Sequence, residues 1–225
     1  MSSQTAQRSA GATPQLRITE IFHSLQGETR SVGLPTVFIR LTGCPLRCVY
    51  CDTSYAFQGG TTLSLPQILA QVAQWRVQYV TVTGGEPLAQ RDCLPLLTAL
   101  CDTGYRVSLE TSGALDISAV DPRVARIVDL KTPGSGEQAR NRYQNIPLLT
   151  PHDEVKFVIC DRNDYDWACA RLDEYDLATR CEVLFSPSAG VLTPRTLADW
   201  ILADQLPVRL QLQLHKLLWG DERGR

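Results

Sequence analysis

Gly43-Cys44-Pro45-Leu46-Arg47-Cys48-Val49-Tyr50-Cys51-Asp52-Thr53 is the segment on which the reading turns, because it sets three thiols within eight residues. An apolar, β-branched run at 36–41 precedes it and reads as a strand, so the cysteines fall on a loop beyond a strand end. Such a loop can wrap its sulfurs around one inorganic centre. A structural zinc or an electron-carrying cluster normally takes four protein ligands, whereas three leave one metal position open to bind and activate a ligand. Read from this loop alone, the alternative is a zinc knuckle completed by a distant Cys or His.

Outward from the loop, short β-branched runs at 36–41, 79–83, 106–110, 126–130, 154–159, 181–185 and 208–214 read as strands. They alternate with helix-period segments at 65–76, 92–101, 164–172 and 194–203, for which Ser64 and Thr193 stand as N-caps and Pro66 and Pro194 occupy first turns. The alternation predicts a parallel sheet, closed into a full or partial barrel or left open and doubly wound. In either case ligands gather beyond the C-terminal strand ends. The segments following the expected strands carry Gly43-Cys44, Gly84-Gly85-Glu86, Thr111-Ser112-Gly113, Lys131-Thr132-Pro133 and Ser186-Pro187, which concentrates polar and Gly-rich sequence at one rim. No internal repeat or long linker divides the chain.

The 225 residues, 44% of them hydrophobic, suffice for one substantial core, so a single domain is expected over 15–225 behind a loose tail at 1–14. That tail lacks the apolar stretch of a signal peptide or membrane span, which predicts a cytoplasmic protein with no membrane partner. A formal net charge of −2 without a Lys/Arg run argues against nucleic acid and for a small-molecule partner. Cytosolic thiols stay reduced, so eight cysteines point to metal binding, catalysis or burial before disulfides. Cys93, Cys101, Cys160, Cys169 and Cys181 lack metal spacing and read as small apolar side chains. His23 and His152 have no motif partner, and Trp75, Trp167 and Trp200 sit at helical positions suited to packing.

CxxxCxxC with an aromatic residue before its last cysteine resembles the signature of the radical S-adenosylmethionine superfamily, and Gly84-Gly85-Glu86-Pro87 resembles the GGEP segment of the same superfamily. The resemblance implies a [4Fe–4S] cluster on Cys44, Cys48 and Cys51, with the fourth iron taking the amino and carboxylate groups of S-adenosylmethionine. One-electron reduction then yields a 5′-deoxyadenosyl radical. Tyr50 stands at the position of the adenine-contacting aromatic, and the GGEP backbone and carboxylate at that of the cofactor's ammonium, where glycines permit close approach.

Reading further, Ser24-Leu25-Gln26-Gly27-Glu28, Arg40, Cys51-Asp52-Thr53 and Gln213-Leu214-His215-Lys216 are similar to the 7-carboxy-7-deazaguanine synthase family over nearly the whole chain after the tail. This implies an α/β fold, a modified partial (β/α) barrel with a mainly parallel sheet, assembled as a homodimer. The implied reaction is a lyase-type radical ring contraction of 6-carboxy-5,6,7,8-tetrahydropterin to 7-carboxy-7-deazaguanine with loss of ammonia, on a queuosine-type route. Leu25, Gln26, Gly27, Glu28, Arg40, Thr83 and His215 fall at substrate positions, Arg40 offering a planar fork to the carboxylate and Gln26 and Glu28 matching the amide and amino edge. Tyr50, Asp52, Gly84, Gly85, Glu86, Asp129, Lys131 and Ser186 fall at S-adenosylmethionine positions. Thr53 matches the Mg²⁺ ligand, a hard cation that takes oxygen. The implied electron donor is a flavodoxin or a ferredoxin. Thr29 stands where the family usually has glycine.

Two rival readings use the same residues. A glycyl-radical activase shares the cysteine loop and GGEP but acts on a partner protein and needs no Gln-Gly-Glu and His-Lys pocket. A non-catalytic zinc- or cluster-binding interaction module needs neither.

Overall fold

The structure is a computed structural model that describes residues 13–225; residues 1–12 of the expected tail lie outside it. In chain order the elements are β1 (Gln15–Leu25), β2 (Pro35–Leu41), β3 (Thr61–Ser64), α1 (Leu65–Val72), β4 (Tyr79–Gly84), α2 (Cys93–Asp102), β5 (Arg106–Thr111) and β6 (Ala125–Asp129). There follow β7 (Glu154–Ile159), α3 (Arg162–Glu174), α4 (Leu177–Arg180), β8 (Glu182–Pro187), α5 (Pro194–Ala203), β9 (Arg209–Leu210) and α6 (Leu214–Trp219). Among the described residues the strands form one nine-stranded sheet in the order β3-β1-β2-β4-β5-β6-β7-β8-β9. From β2 through β9 every neighbouring pair is parallel, and β1 runs antiparallel to both β2 and β3. The edges β3 and β9 do not pair with each other, so this is a mainly parallel α/β sheet left open, not a closed barrel.

Helix starts follow from local chemistry. Gln67 Oε1 accepts from the Ser64 amide at 2.8 Å ahead of α1, and Thr193 Oγ1 accepts from the Thr196 amide at 3.1 Å ahead of α5, whose first turn holds Pro194. Asp161 caps α3 through the Asp164 amide at 2.9 Å. Four expectations need correction. The β1 and β3 strands were not foreseen, α1 stops at Val72, β9 is two residues long, and 214–219 is helical where a strand to 214 was expected. The β6–β7 connection has three short 3₁₀ segments and no α-helix, because Pro133, Pro147 and the glycines at 134 and 136 interrupt any longer run.

Strand alternation separates core from site. Val37, Ile39 and Leu41 of β2, Val80 and Val82 of β4, Val155, Phe157 and Ile159 of β7, and Val183 and Phe185 of β8 are buried in one hydrophobic cluster. The same cluster takes in Ile68 and Val72 of α1, Leu96 and Leu100 of α2, Leu172 of α3 and Leu197 of α5. Successive strand side chains point to opposite faces. The intervening residues, among them Arg40, Thr83, Glu110, Asp129, Lys156 and Ser186, therefore face the other way and line a cavity. A parallel sheet usually carries apolar residues on both faces; polar ones on this inner face mark it as the working surface.

Candidate active site

One cavity of about 560 Å³ opens on that polar face and reaches the cysteine loop. Cys44, Cys48 and Cys51 all border it as free, half-buried thiols. Their loop is pinned from several sides: Arg47 donates to the Cys44 and Leu46 carbonyls at 2.8 and 2.6 Å, its own amide donates to Glu137 at 2.6 Å, and its guanidinium lies 4.3 Å from the Phe57 ring centroid. The Leu46 amide points at Cys44 Sγ at 3.4 Å, and the buried Leu46 side chain anchors the turn. Burial pushes the Cys44 and Cys48 thiols above the ordinary cysteine range.

The glycine loop after β4 interlocks with this one. A Cβ on Gly85 would run into the Gly43 carbonyl and come within 2.7 Å of Cys44 Cβ, so only glycine fits. The adjoining Glu86 amide donates to the Gly43 carbonyl at 2.8 Å. Gly84 and Gly85 border the cavity, but the Glu86 side chain does not. It is fully buried, accepting from Thr111 Oγ1 at 2.9 Å, from the Ser112 amide and hydroxyl at 2.7 and 2.5 Å and from the Leu88 amide at 3.0 Å. Its carboxylate thus ties two rim loops together.

Beyond the cysteines, Tyr50, Asp129, Lys131 and Ser186 converge on the same cavity. Lys131 Nζ is 2.9 Å from Asp129 Oδ2 and 5.9 Å from the Tyr50 ring centroid. Tyr50 Oη and Asp129 Oδ1 are buried and have no hydrogen-bond partner among the described residues. Unpaired buried polar atoms are costly, and two of them on residues that border one cavity point to a polar ligand there.

On the other side, Glu28 and Lys156 form a 2.7 Å ion pair, and Gln213 Nε2 donates to the second Glu28 oxygen at 2.9 Å. Burial raises the Glu28 pKa, but the Lys156 charge and the hydrogen bonds from Lys156 and Gln213 outweigh it, so Glu28 titrates below its ordinary value. Glu110 takes the opposite course: burial, then the Glu28 charge, push it up. Glu110 also accepts from Gln26 Nε2 at 3.3 Å and Thr83 Oγ1 at 3.0 Å, joining two expected substrate residues. Leu25 and Gly27 border the cavity, and a Cβ on Gly27 would collide with His215 Nδ1, so the glycine admits the histidine. Burial lowers the His215 pKa below the ordinary histidine value, against the opposing pull of the Glu28 and Asp52 charges. Thr53 Oγ1 donates to Asp52 Oδ1 at 2.8 Å, and Asp52 Oδ2 pairs with Lys216 at 3.0 Å. Arg40 is less free than its fork suggested: its Nε is held by Glu20 at 2.7 Å.

The Radical SAM superfamily profile matches residues 38–178. A 7-carboxy-7-deazaguanine synthase from Chlorobaculum tepidum is 45% identical over 93% of this chain and 97% of its own. Another from Koribacter versatilis is 44% identical over 92% and 98%. The chain belongs to the 7-carboxy-7-deazaguanine synthase family. The crystal structure of QueE from Escherichia coli superposes with a TM-score of 0.73 at 25% identity, covering 89% of this chain and 95% of that one. Streptococcus suis SuiB bound to S-adenosylmethionine, at 14% identity and a TM-score of 0.55, shares the fold alone.

Membership of this radical S-adenosylmethionine family brings a [4Fe–4S] cluster and S-adenosylmethionine, and the donor set fits them. Among the described residues no three His, Cys, Asp or Glu side chains converge as they would on a single ion. Three thiols on one short loop bordering the cavity offer the sulfur ligands a cluster takes, and Tyr50 Oη and Asp129 Oδ1, without a partner among the described residues, suit a polar cofactor beside it. Glu110, Lys156, Gln213 and Tyr55 border the cavity without having been singled out as site residues. Lys156 carried a legible signal, since a lysine inside the apolar strand Glu154–Ile159 has to be paired if it is buried.

Proposed function

We propose that the chain converts 6-carboxy-5,6,7,8-tetrahydropterin to 7-carboxy-7-deazaguanine with release of ammonia, as a radical S-adenosylmethionine lyase of queuosine-type 7-deazapurine biosynthesis. The observation that carries this reading is a single cavity bordered both by the three-cysteine loop and by Gln26, Glu28, Thr83 and His215, in a chain 45% identical to a named 7-carboxy-7-deazaguanine synthase along nearly its full length. When bound at Cys44, Cys48 and Cys51, the cluster with S-adenosylmethionine would supply radical hydrogen-abstraction chemistry directed at the pterin.

The protein's part is positioning and electrostatics. Ionised Glu28 accepts from the amide and amino edge of the pterin, Gln26 adds a donor and acceptor alongside, and Thr83 contacts the ring at the β4 end. His215 closes the wall over Gly27. Arg40 turns its remaining N–H groups to the carboxylate. Tyr50 packs on adenine, with Asp52, Gly85, Asp129, Lys131 and Ser186 around the rest of S-adenosylmethionine. Thr53 with neighbouring Asp52 offers hard oxygens to Mg²⁺. We assign a flavodoxin or ferredoxin as reductant, a homodimer as the working assembly and the cytoplasm as location; no helix among the described residues is long and apolar enough to cross a membrane. The test is anaerobic turnover of reconstituted protein with 6-carboxytetrahydropterin, dithionite, Mg²⁺ and S-adenosylmethionine, followed by mass analysis. The deazaguanine carboxylate is the expected product, and S-adenosylmethionine cleavage with intact pterin would overturn the reading.

A further inference from the structure

The cations bordering the cavity are Arg40, Lys131, Lys156, Lys216, Arg223 and Arg225. Five of them are matched by a carboxylate: Arg40 by Glu20 at 2.7 Å, Lys131 by Asp129 at 2.9 Å, Lys156 by Glu28 at 2.7 Å, Lys216 by Asp52 at 3.0 Å and Arg225 by Glu222 at 3.1 Å. Among the described residues Arg223 has no acidic partner. Its guanidinium instead lies 4.2 Å from the centroid of the Tyr55 ring, and the Arg40 guanidinium lies 6.0 Å from the same centroid. The Tyr55 hydroxyl donates to Glu20 Oε1 at 2.8 Å, the atom that also holds Arg40, so the ring is fixed in orientation.

A cation paired with a neighbouring carboxylate offers an incoming anion less net attraction than an unpaired one, so Arg40 contributes mainly its remaining N–H groups while an unpaired guanidinium contributes its charge as well. Stacking, by contrast, occupies the face of a guanidinium and leaves its in-plane N–H donors open to a planar acceptor. We propose that Arg223 is a second receptor for the substrate carboxylate, held at the cavity wall by Tyr55 and working beside Arg40. In that role it selects a carboxylated pterin over the same ring without the carboxylate. This assignment rests on the pterin reading above.

The experiment compares equilibrium binding of 6-carboxytetrahydropterin and of tetrahydropterin lacking the carboxylate to anaerobically reconstituted holoenzyme, in wild type, Arg223→Ala and Arg223→Lys. Arg223 is exposed, so its removal leaves the core intact. Arg223→Ala should weaken the carboxylated ligand roughly ten-fold, the effect of one hydrogen bond to a charged group, and leave the other ligand unchanged. Arg223→Lys, which keeps the charge but not the fork, should fall between. Equal weakening of both ligands, or of neither, overturns the assignment while turnover of wild type leaves the pterin reading standing. A wild type that neither binds nor converts the carboxylated pterin removes that reading and the assignment with it.

Discussion

Thr29 takes a φ of 66°. A β-branched residue in the left-handed region is strained by about 1–2 kcal/mol, and here the Thr29 hydroxyl recovers part of that through Ser31, accepting from its amide at 3.3 Å and meeting its hydroxyl at 3.1 Å. Thr29→Gly should therefore stabilise the fold by no more than about 1 kcal/mol, glycine's greater freedom in the unfolded chain offsetting the rest. A denaturation midpoint that falls instead would show the hydroxyl to matter more than the strain. At the cluster loop, Cys44→Ala, Cys48→Ala and Cys51→Ala should each abolish cluster assembly and S-adenosylmethionine cleavage, while Cys93→Ala keeps both; iron and sulfide analysis decides it. Thr53→Ala should keep the cluster and blunt the response of turnover to Mg²⁺, and wild-type activity indifferent to chelation would remove Thr53 from the site.

At the scale of elements, what the sequence made legible was the loops. The cysteine loop, Gly84-Gly85 and the polar rim were readable because glycines and thiols at fixed spacing have few other uses. The antiparallel β1 and the four-residue β3 were not. In β1, polar Thr19, Glu20, His23 and Ser24 dilute the alternation, and β3 is held mainly by pairing with a segment distant in sequence. Nor could strand patterning show that Lys156 on β7 would meet Glu28 beyond β1, since that ion pair exists only once the sheet has assembled. Lys156→Met should strand Glu28 as a buried unpaired carboxylate and cost about 3 kcal/mol. Equilibrium unfolding of the two proteins tests this, and an unchanged midpoint would mean that water already screens the pair.

Over the whole molecule, the sheet is fastened across its middle by Asp153. Its carboxylate accepts from Arg126 at 2.9 and 2.6 Å and from the Thr150 amide and hydroxyl at 2.8 and 2.9 Å, just ahead of β7 and against β6. Burial raises its pKa, but the Arg126 and Thr150 hydrogen bonds outweigh this and hold it below the ordinary 3.8. The depressed value means that the stabilisation is complete above the unfolded pKa and is lost as pH falls through the folded one. The stability gap between wild type and Asp153→Asn should thus be constant near neutrality and close below about pH 4; a gap independent of pH would contradict the linkage. The two-faced strands carry a last consequence, for redesign. In β7 the side chains of Val155, Phe157 and Ile159 belong to the packed interior and those of Lys156 and Val158 to the reaction chamber. Parity along a strand therefore tells an engineer which property a substitution will touch. A combinatorial library restricted to chamber-parity positions that carry no ion pair, such as Val158, would explore other heterocycles with the melting behaviour left close to that of the parent.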